Sequence, residues 1–270
     1  MTILACAITA LCVPLSHASA DLRSQRAAVL AEVRALYADA SSRYAGAGSK
    51  KLTELSHSLQ AAASAEADGD SDAAVVAALL HDIGWKLSRR RSADGGAEPA
   101  SIDKTVASEP PEDCIASELG IRSVIAHPED GASRPAHEDM GAAWLRLRGF
   151  SEDCAQLVEG HVLAKRFQVA QDPKYVDGLS AASKVTLVYQ GGAMNDDESR
   201  LFTADPLFDQ LLTLRRRDEG AKLTDATHLP SLDHFLPAIE RCIVRAPVLP
   251  AEQCRHFILD ECRKLCSIND

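Results

Sequence analysis

Apolar residues recur every three or four positions along most of the chain, which is the spacing of one face of an α-helix. Between Asp21 and Tyr44, for example, Val29, Val33 and Leu36 fall on one such face. Aromatic residues make up only 4% of the sequence, and alanine-rich stretches favour helix over strand. The pattern therefore predicts an all-α protein.

A first helical hairpin is predicted near the middle of the N-terminal half. Thr53 and Ser71 each precede a helical run, where their hydroxyl groups can cap the first turn. The break between the two helices falls at Asp68-Gly69-Asp70, and the second helix is expected to stop at Gly84.

A second hairpin is predicted after a long interval. Its helices begin at His137 and Ser151, with a break at Gly149. Further helices are expected from Ser180 to Gly191-Gly192, from Pro206 to Lys222, and after Ser231 and Pro250.

The interval between the hairpins differs from them in composition. Residues 86–136 are rich in Arg, Gly and Pro, and only Cys114 to Ala126 has the periodicity of a short helix. We interpret the interval as an insertion whose composition favours disorder over a lid. It would interrupt one domain, residues 21–228, which a C-terminal helical extension, residues 229–270, follows.

The first twenty residues are apolar and end in small residues before Asp21, which resembles a signal-peptide cleavage site. No Lys or Arg lies near Met1, and the segment is too short to span a bilayer. Two alternatives remain: a cytoplasmic protein with an apolar first helix, or an exported or organelle-targeted protein. The eight cysteines leave the same choice open, because they suit either disulfides or buried thiols.

The formal net charge of -10 argues against nucleic acid as a partner, because binding to the phosphate backbone needs a basic surface. A small anion needs only a few local cations. Lys165 and Arg215 stand near candidate metal ligands and could supply them.

Six residues with metal-binding side chains are regularly placed. Their two histidine pairs have the same separation of 24 positions, so that each hairpin would present two imidazoles. Asp82 directly follows one histidine and can bridge two metals, and imidazole with carboxylate suits iron, manganese or zinc. The predicted ligands of this dinuclear site are His57, His81, Asp82, His137, His161 and Asp218.

The motif His81-Asp82-Ile83-Gly84, with His57 upstream and Asp218 downstream, resembles that of HD-domain proteins, most of which are phosphohydrolases. Further segments are similar to the mixed-valent diiron oxygenases of phosphonate breakdown, of the PhnZ and TmpB type. The similarity covers roughly Tyr44 to Lys222 without the insertion. The segments are HEDMGAAWL, HVLAKRF, LSAASKVTLVYQGGAM and LRRRDEGAK, which begin at His137, His161, Leu179 and Leu214.

This resemblance implies an HD-domain helical bundle with two iron ions, Fe2+ and Fe3+, and O2 as co-substrate. One iron would be held by His57, His81, Asp82 and Asp218, and the other by Asp82, His137 and His161.

The resemblance also implies the reaction. The substrate would be a small 1-hydroxy-organophosphonate, derived from 2-aminoethylphosphonate or its N-methylated analogue. Its C–P bond would be cleaved to give phosphate and a carboxylate. Lys165, Ser183 and Arg215 match the family's phosphonate-binding residues, and a point charge with a planar guanidinium suits a phosphonate dianion.

Two positions depart from the family pattern. The family's catalytic tyrosine lies ten residues before the first histidine with an acidic partner, whereas Tyr44 lies thirteen residues before His57, and Lys50 takes the place of the acid. Trp85 stands where the aminoethylphosphonate enzymes have a histidine that contacts the substrate. Our hypothesis is that Trp85 favours a methylated ammonium through cation–π attraction.

The ligand set alone leaves two other functions open. A dinuclear HD phosphohydrolase could use the same metals to activate water towards a phosphoester or nucleotide. A binding or regulatory protein could retain the metal site without turnover.

Overall fold

The computed structural model describes residues 15–39, 44, 52–87, 125–126, 133–134 and 136–246. Within these ranges the chain is almost entirely helical, which confirms the all-α prediction; a small antiparallel pair joins β1 (Ile125–Ala126) to β2 (Ser133–Arg134). The helices are α1 Leu15–Leu36, α2 Glu54–Ala67, α3 Asp72–Leu80, α4 His137–Leu147, α5 Glu152–Gln171, α6 Tyr175–Gly178, α7 Ala181–Tyr189, α8 Asp196–Thr203, α9 Phe208–Gly220 and α10 Leu232–Cys242.

The first hairpin consists of α2 and α3. The Thr53 hydroxyl accepts a hydrogen bond from the Ser56 amide at 3.1 Å, and Ser71 accepts one from the Ala74 amide at 3.3 Å. Between the helices Gly69 adopts a φ of +76°, a left-handed conformation that glycine tolerates without strain. Both caps and the break therefore lie where the sequence predicts them.

The second hairpin consists of α4 and α5, and it packs on the first. Its turn contains Gly149, with a φ of +79°, and Ser151 caps α5 by accepting from the Cys154 amide at 3.4 Å. Helix α5 packs against α3, α4 and α9, which makes it the central helix of the bundle. Buried Leu79, Leu145 and Leu157 are part of the core between them.

The last described helix, α10, packs against α1 and α3. The backbone that follows it pairs with the turn of the second hairpin, since Phe150 and Ile243 form an antiparallel bridge. The division into a domain and an extension at residue 229 stays a prediction.

Three expectations about helix ends were wrong. Helix α1 stops at Leu36 rather than near Tyr44, and the chain turns at Tyr37, whose hydroxyl donates to the Leu79 carbonyl at 2.8 Å. Gly84 does not end a helix, because residues 83–87 are helical. Of the helix expected over residues 114–126, the described end, Ile125–Ala126, is a strand.

The reason for Gly84 is packing rather than helix termination. A Cβ atom at this position would lie 1.9 Å from the His137 carbonyl oxygen. Glycine therefore allows the segment after α3 to approach the start of α4, and this contact brings the two hairpins together.

Sequence reasoning missed α6 and α8. Helix α8 has a complete capping box, in which the Asn195 side chain and the Glu198 side chain each accept from the other's backbone amide.

Several predictions lie outside the described residues: the start of the signal-like segment, the loop after Tyr44 with Lys50, most of the insertion, the helix after Pro250 and the last three cysteines. Within the described part of the chain, no helix has both the length and the apolar character of a membrane span.

Candidate metal centre

The first hairpin brings two of the predicted ligands together. His57 lies in the first turn of α2, and His81 lies in the turn that follows α3. Their Nε2 atoms are 3.1 Å apart, and both side chains are fully buried.

The second hairpin does the same with the other two histidines. His137 is the first residue of α4, and His161 lies in the middle of α5. Their Nε2 atoms are 3.2 Å apart. The His81 and His161 rings are in edge contact, with centroids 5.4 Å apart, so the two pairs form one cluster.

Asp82 lies between the pairs and turns one carboxylate oxygen towards each. Its Oδ2 atom is 3.5 Å from Nε2 of His81, and its Oδ1 atom is 3.4 Å from Nε2 of His137. Asp218, from α9, approaches the first pair alone, with Oδ1 3.4 Å from Nε2 of His57. The geometry thus contains two overlapping groups of donors that share Asp82.

The hydrogen bonds of the imidazoles determine which nitrogen faces the cluster. The Nδ1 atoms of His57, His81 and His161 lie 2.9, 2.9 and 2.6 Å from backbone carbonyl oxygens, which can only accept. Each Nδ1 must therefore carry a proton, and in the neutral ring each Nε2 directs a lone pair into the cluster. The Nε2 atoms of His57 and His81 are 3.1 Å apart, and two nitrogens that both carry lone pairs cannot form a hydrogen bond with each other.

One carboxylate oxygen in the cluster also lacks a hydrogen bond. Oδ1 of Asp218 is buried without a donor within hydrogen-bond geometry. The unprotonated Nε2 atoms and this carboxylate oxygen converge on common points. Such a set of acceptors fits metal cations, because a buried acceptor without a donor or a cation is costly.

The electrostatics of the cluster agree with this fit. Burial lowers the pKa of His161 to about 3, and it also lowers the pKa of His81, so both imidazoles are neutral. Burial opposes ionisation of Asp82, but the neighbouring histidines, His81 first, outweigh it and hold its pKa below the usual range.

His57 and His137 differ from these, because two carboxylates lie beside each. Burial lowers the pKa of His57, but Asp218 and then Asp82 outweigh burial and raise it. The same holds for His137. Burial lowers its pKa, but Glu138 and Asp82 outweigh burial and raise it to about 9. The surroundings of His137 therefore favour a cation, whether a proton or a metal ion.

A cavity of about 520 Å³ opens on one side of the cluster. Five of the six candidate ligands line it, and the exception is His81. Its wall includes the five other residues singled out from the sequence, namely Tyr44, Trp85, Lys165, Ser183 and Arg215.

Arg215 is almost completely buried and is held on two sides. Its Nη1 atom donates to Asp218 at 2.5 Å, and its Nε atom donates to Glu219 at 2.8 Å. Its Nη2 atom is buried without a hydrogen-bond partner. A guanidinium fixed in this way has one edge left for an acceptor.

Lys165 follows His161 by one turn of α5 and is also buried. Its ammonium donates to the Thr186 hydroxyl at 2.9 Å and to the Gln190 side chain. Burial, and then the positive charge of Arg215, lower the pKa of Lys165 to about 8. Ser183 lies on the same helix as Thr186, and its hydroxyl accepts from Ser180 at 3.0 Å.

The two aromatic residues each stack on a histidine of the cluster. The Tyr44 ring lies 3.9 Å from that of His57, and the Trp85 ring lies 4.6 Å from that of His137, both nearly parallel. Burial, and then Asp82 and Asp218, raise the pKa of the Tyr44 hydroxyl. Tyr44 therefore stays protonated at the edge of the first pair.

Sequence reasoning did not single out several residues that the structure places here. Thr186 and Gln190 follow Ser183 by three and seven positions on one helix face, which was a usable signal. The partnership of Glu54 with Lys86 spans 32 positions and left no local signal. Glu138 follows His137 directly, with Oε2 2.9 Å from its Nδ1 atom.

Comparison with known proteins gives this geometry a family. An uncharacterized protein of Acanthamoeba polyphaga mimivirus is 33% identical over 183 residues, which cover 68% of this chain and 68% of that protein. The glycine-betaine-forming 1-hydroxy-2-(trimethylamino)ethylphosphonate dioxygenase of Leisingera caerulea is 31% identical over 192 residues, 71% of this chain and 80% of the enzyme. The chain belongs to the HD-domain oxygenases of the PhnZ and TmpB type.

A second named member of these HD-domain oxygenases is more distant. The hydroxymethylphosphonate dioxygenase of Gimesia maris is 29% identical over 197 residues, 72% of this chain and 79% of that enzyme. No family model matches the chain. Membership indicates an enzyme, and the donor cluster is where its metal chemistry fits.

Proposed function

We propose that this HD-domain oxygenase uses two iron ions and O2 to cleave the C–P bond of a small 1-hydroxy-organophosphonate. The products would be phosphate and a carboxylate. The observation that carries the proposal is Arg215, which lines the cavity with Lys165 beside the donor cluster and whose buried Nη2 atom has no hydrogen-bond partner. The two named relatives act on phosphonates, which favours this reaction over phosphoester hydrolysis.

The phosphonate would occupy the end of the cavity that Arg215, Lys165 and Ser183 line. The planar guanidinium would donate through Nη2, and the ammonium would add a second positive charge. Because Arg215 also binds Asp218 at 2.5 Å, a phosphonate at this position lies next to the donor cluster.

The proposed iron ligands follow the two donor groups. His57, His81, Asp82 and Asp218 would hold one ion, and Asp82, His137 and His161 the other. When bound, the iron pair supplies the redox chemistry with dioxygen. The protein's own part is to keep each Nε2 unprotonated, to hold the phosphonate, and to shield the site behind stacked aromatic rings.

The substituent of the substrate would lie towards Trp85 and Tyr44. Both present aromatic surface to the cavity, which suits a substituent that ends in a methylated ammonium. The test is the ratio of the turnover rates of trimethylammonio- and amino-substituted substrates in Trp85→Ala. The assignment fails if this ratio is the same in the variant as in wild-type protein.

The reaction predicts one O2 consumed for each phosphate released, because both oxygen atoms enter the products. The test is oxygen uptake and phosphate release by iron-loaded protein with hydroxymethylphosphonate and with the 1-hydroxy derivatives of 2-aminoethyl- and 2-(trimethylammonio)ethylphosphonate. Asp82→Ala serves as the inactive control. If no member of the panel supports oxygen uptake, the proposal is wrong. Anaerobic phosphate release from phosphoesters would establish the hydrolase instead.

A further inference from the structure

A buried ion pair forms part of the cavity wall next to Trp85. Lys86 follows Trp85 directly, and its Nζ atom lies 3.0 Å from Oε2 of Glu54, the first residue of α2. Both residues line the cavity, although their side chains are only 8% and 13% exposed. The pair is therefore shielded from bulk solvent and faces the space that a substrate would enter.

The Lys86 ammonium is held from a second direction. It lies 4.4 Å from the centroid of the Tyr37 ring, which is a cation–π distance. Tyr37 is itself fixed, since its hydroxyl donates to the Leu79 carbonyl at 2.8 Å. Lys86 is thus anchored on Glu54 and is not free to swing towards a phosphonate.

Glu54 has a special position among the acids of the cavity. The described residues that line it include three carboxylates, Glu54, Asp82 and Asp218. The last two belong to the donor cluster with the histidines. Glu54 is therefore the carboxylate in this wall that a positively charged substituent of a substrate could reach.

We propose that Lys86 is a specificity-determining residue, which pairs with Glu54 and withholds this carboxylate from the substrate. The pocket then favours a quaternary ammonium over a primary one. A primary ammonium brings three N–H donors that need acceptors once water is removed, whereas a trimethylammonium has none and is stabilised by aromatic faces. The inference rests on the proposed function and names the substrate class within it.

The test compares binding of two phosphonates that lack the 1-hydroxyl group, 2-aminoethylphosphonate and 2-(trimethylammonio)ethylphosphonate. Calorimetry on metal-loaded wild-type protein is expected to show tighter binding of the trimethylammonio compound. In Lys86→Met, Glu54 no longer binds the lysine and can accept from the primary ammonium, so this preference should fall about tenfold or more, the range of a hydrogen bond to a charged group.

Two further variants serve as controls. Lys184→Met makes the same substitution at an exposed lysine outside the cavity, and it should leave the preference unchanged. The double variant Glu54→Gln with Lys86→Met removes both charges and should restore the wild-type preference, because the aromatic walls remain.

The outcomes separate this inference from the proposed function. If Lys86→Met binds metal and phosphonate but keeps the wild-type preference, Lys86 does not determine specificity. If wild-type protein binds neither phosphonate, oxygen uptake with the 1-hydroxy substrates decides. No uptake means that the proposed function itself is wrong, and uptake moves the comparison of preference to the KM values of those substrates. If Lys86→Met does not fold, the double variant and Glu54→Gln decide. Glu54→Gln leaves the ammonium of Lys86 uncompensated and should weaken both cationic ligands about tenfold, and unchanged binding would overturn the inference.

Discussion

The two histidine pairs have the same sequence spacing, but the structure surrounds them differently. The pair His57 and His81 has two carboxylates beside it, Asp82 and Asp218, and His81 does not reach the cavity. The pair His137 and His161 has only Asp82 on its Nε2 side, because Glu138 contacts the opposite nitrogen, Nδ1, of His137. Both imidazoles of this pair line the cavity. The first half of the donor cluster, His57, His81, Asp82 and Asp218, therefore offers four donors and is the more enclosed. The second half, Asp82, His137 and His161, offers three donors and is open to the cavity.

This difference indicates a division of labour. Catalytic metal sites keep a coordination position open, while closed sites are structural or supporting. The second half has the open side, and Trp85 and Lys165 flank it there. Under the proposed function, substrate and dioxygen would approach the ion held by the second pair, and the first pair would hold a supporting ion.

The largest expected effect comes from the residue that both halves share. Asp82→Ala removes a donor from each group, so both metal ions should bind more than about a hundredfold more weakly. This exceeds the loss of metal affinity expected when a residue that only hydrogen-bonds to a ligand is removed. Asp218→Ala removes a donor from the first half alone and should cost one ion. Metal content after dialysis checks both, and two ions retained by Asp82→Ala would refute the shared-ligand geometry.

Removing the free guanidinium edge should weaken substrate binding, and metal content is measured alongside it because Arg215 also holds the candidate ligand Asp218. Arg215→Lys keeps the charge but loses the planar fork, and KM for the phosphonate should rise about ten- to a hundredfold, as expected for a charged hydrogen bond. Arg216→Lys is the matched control, since Arg216 is exposed on the same helix. An unchanged KM in Arg215→Lys would place the phosphonate elsewhere in the cavity.

The contact between the two helical hairpins can be broken at Gly84. In Gly84→Ala the new Cβ would lie 1.9 Å from the His137 carbonyl oxygen, so backbone must shift. The unfolding free energy should fall by about 1–3 kcal/mol, the usual range for overpacking. Urea unfolding of metal-free protein measures the loss.

A second glycine provides the control for that measurement. At Gly178 a Cβ would meet no heavy atom within 4 Å, so Gly178→Ala should change stability by less than about 0.5 kcal/mol. Equal effects at the two positions would show that close approach of the hairpins is not what requires glycine at Gly84.

Sequence reasoning succeeded where the determinants are local. The caps at Thr53 and Ser71 and the equal spacing of the histidine pairs are properties of short segments, and they predicted both hairpins. The sequence wrongly predicts a helix end at Gly84 because the clash that requires glycine involves His137, more than fifty positions away. The Glu54–Lys86 pair was missed for the same reason, since only packing of α2 against α3 brings its members together.

Arg215 shows the same limit within the candidate site. The sequence and the family resemblance placed a cation there, but they could not show which edge of the guanidinium is free. That depends on Asp218 and Glu219 occupying the other two nitrogens. Residue types at a site follow from motifs, whereas the unsatisfied atom follows from the three-dimensional network.

The smallest expected effect is a pH dependence of phosphonate binding, which arises beside the half of the donor cluster that is open to the cavity. The ammonium of Lys165, with a pKa of about 8, is charged below that pH and loses its charge as the pH rises through it. Phosphonate binding should therefore weaken above pH 8, by up to about tenfold per pH unit, since the protein must then take up a proton to bind the anion. Metal content should stay constant over the same interval, because Lys165 is not one of the candidate metal ligands.

Lys165→Arg separates this lysine from other groups that titrate nearby. A guanidinium remains charged throughout the range, so KM for the phosphonate in this variant should be nearly independent of pH between about 7 and 9.5. A variant that keeps the wild-type slope would assign the titration to another group. In that case Lys165 would serve to orient Thr186 and Gln190, to which it donates, and Arg215 would remain as the cation that binds the phosphonate.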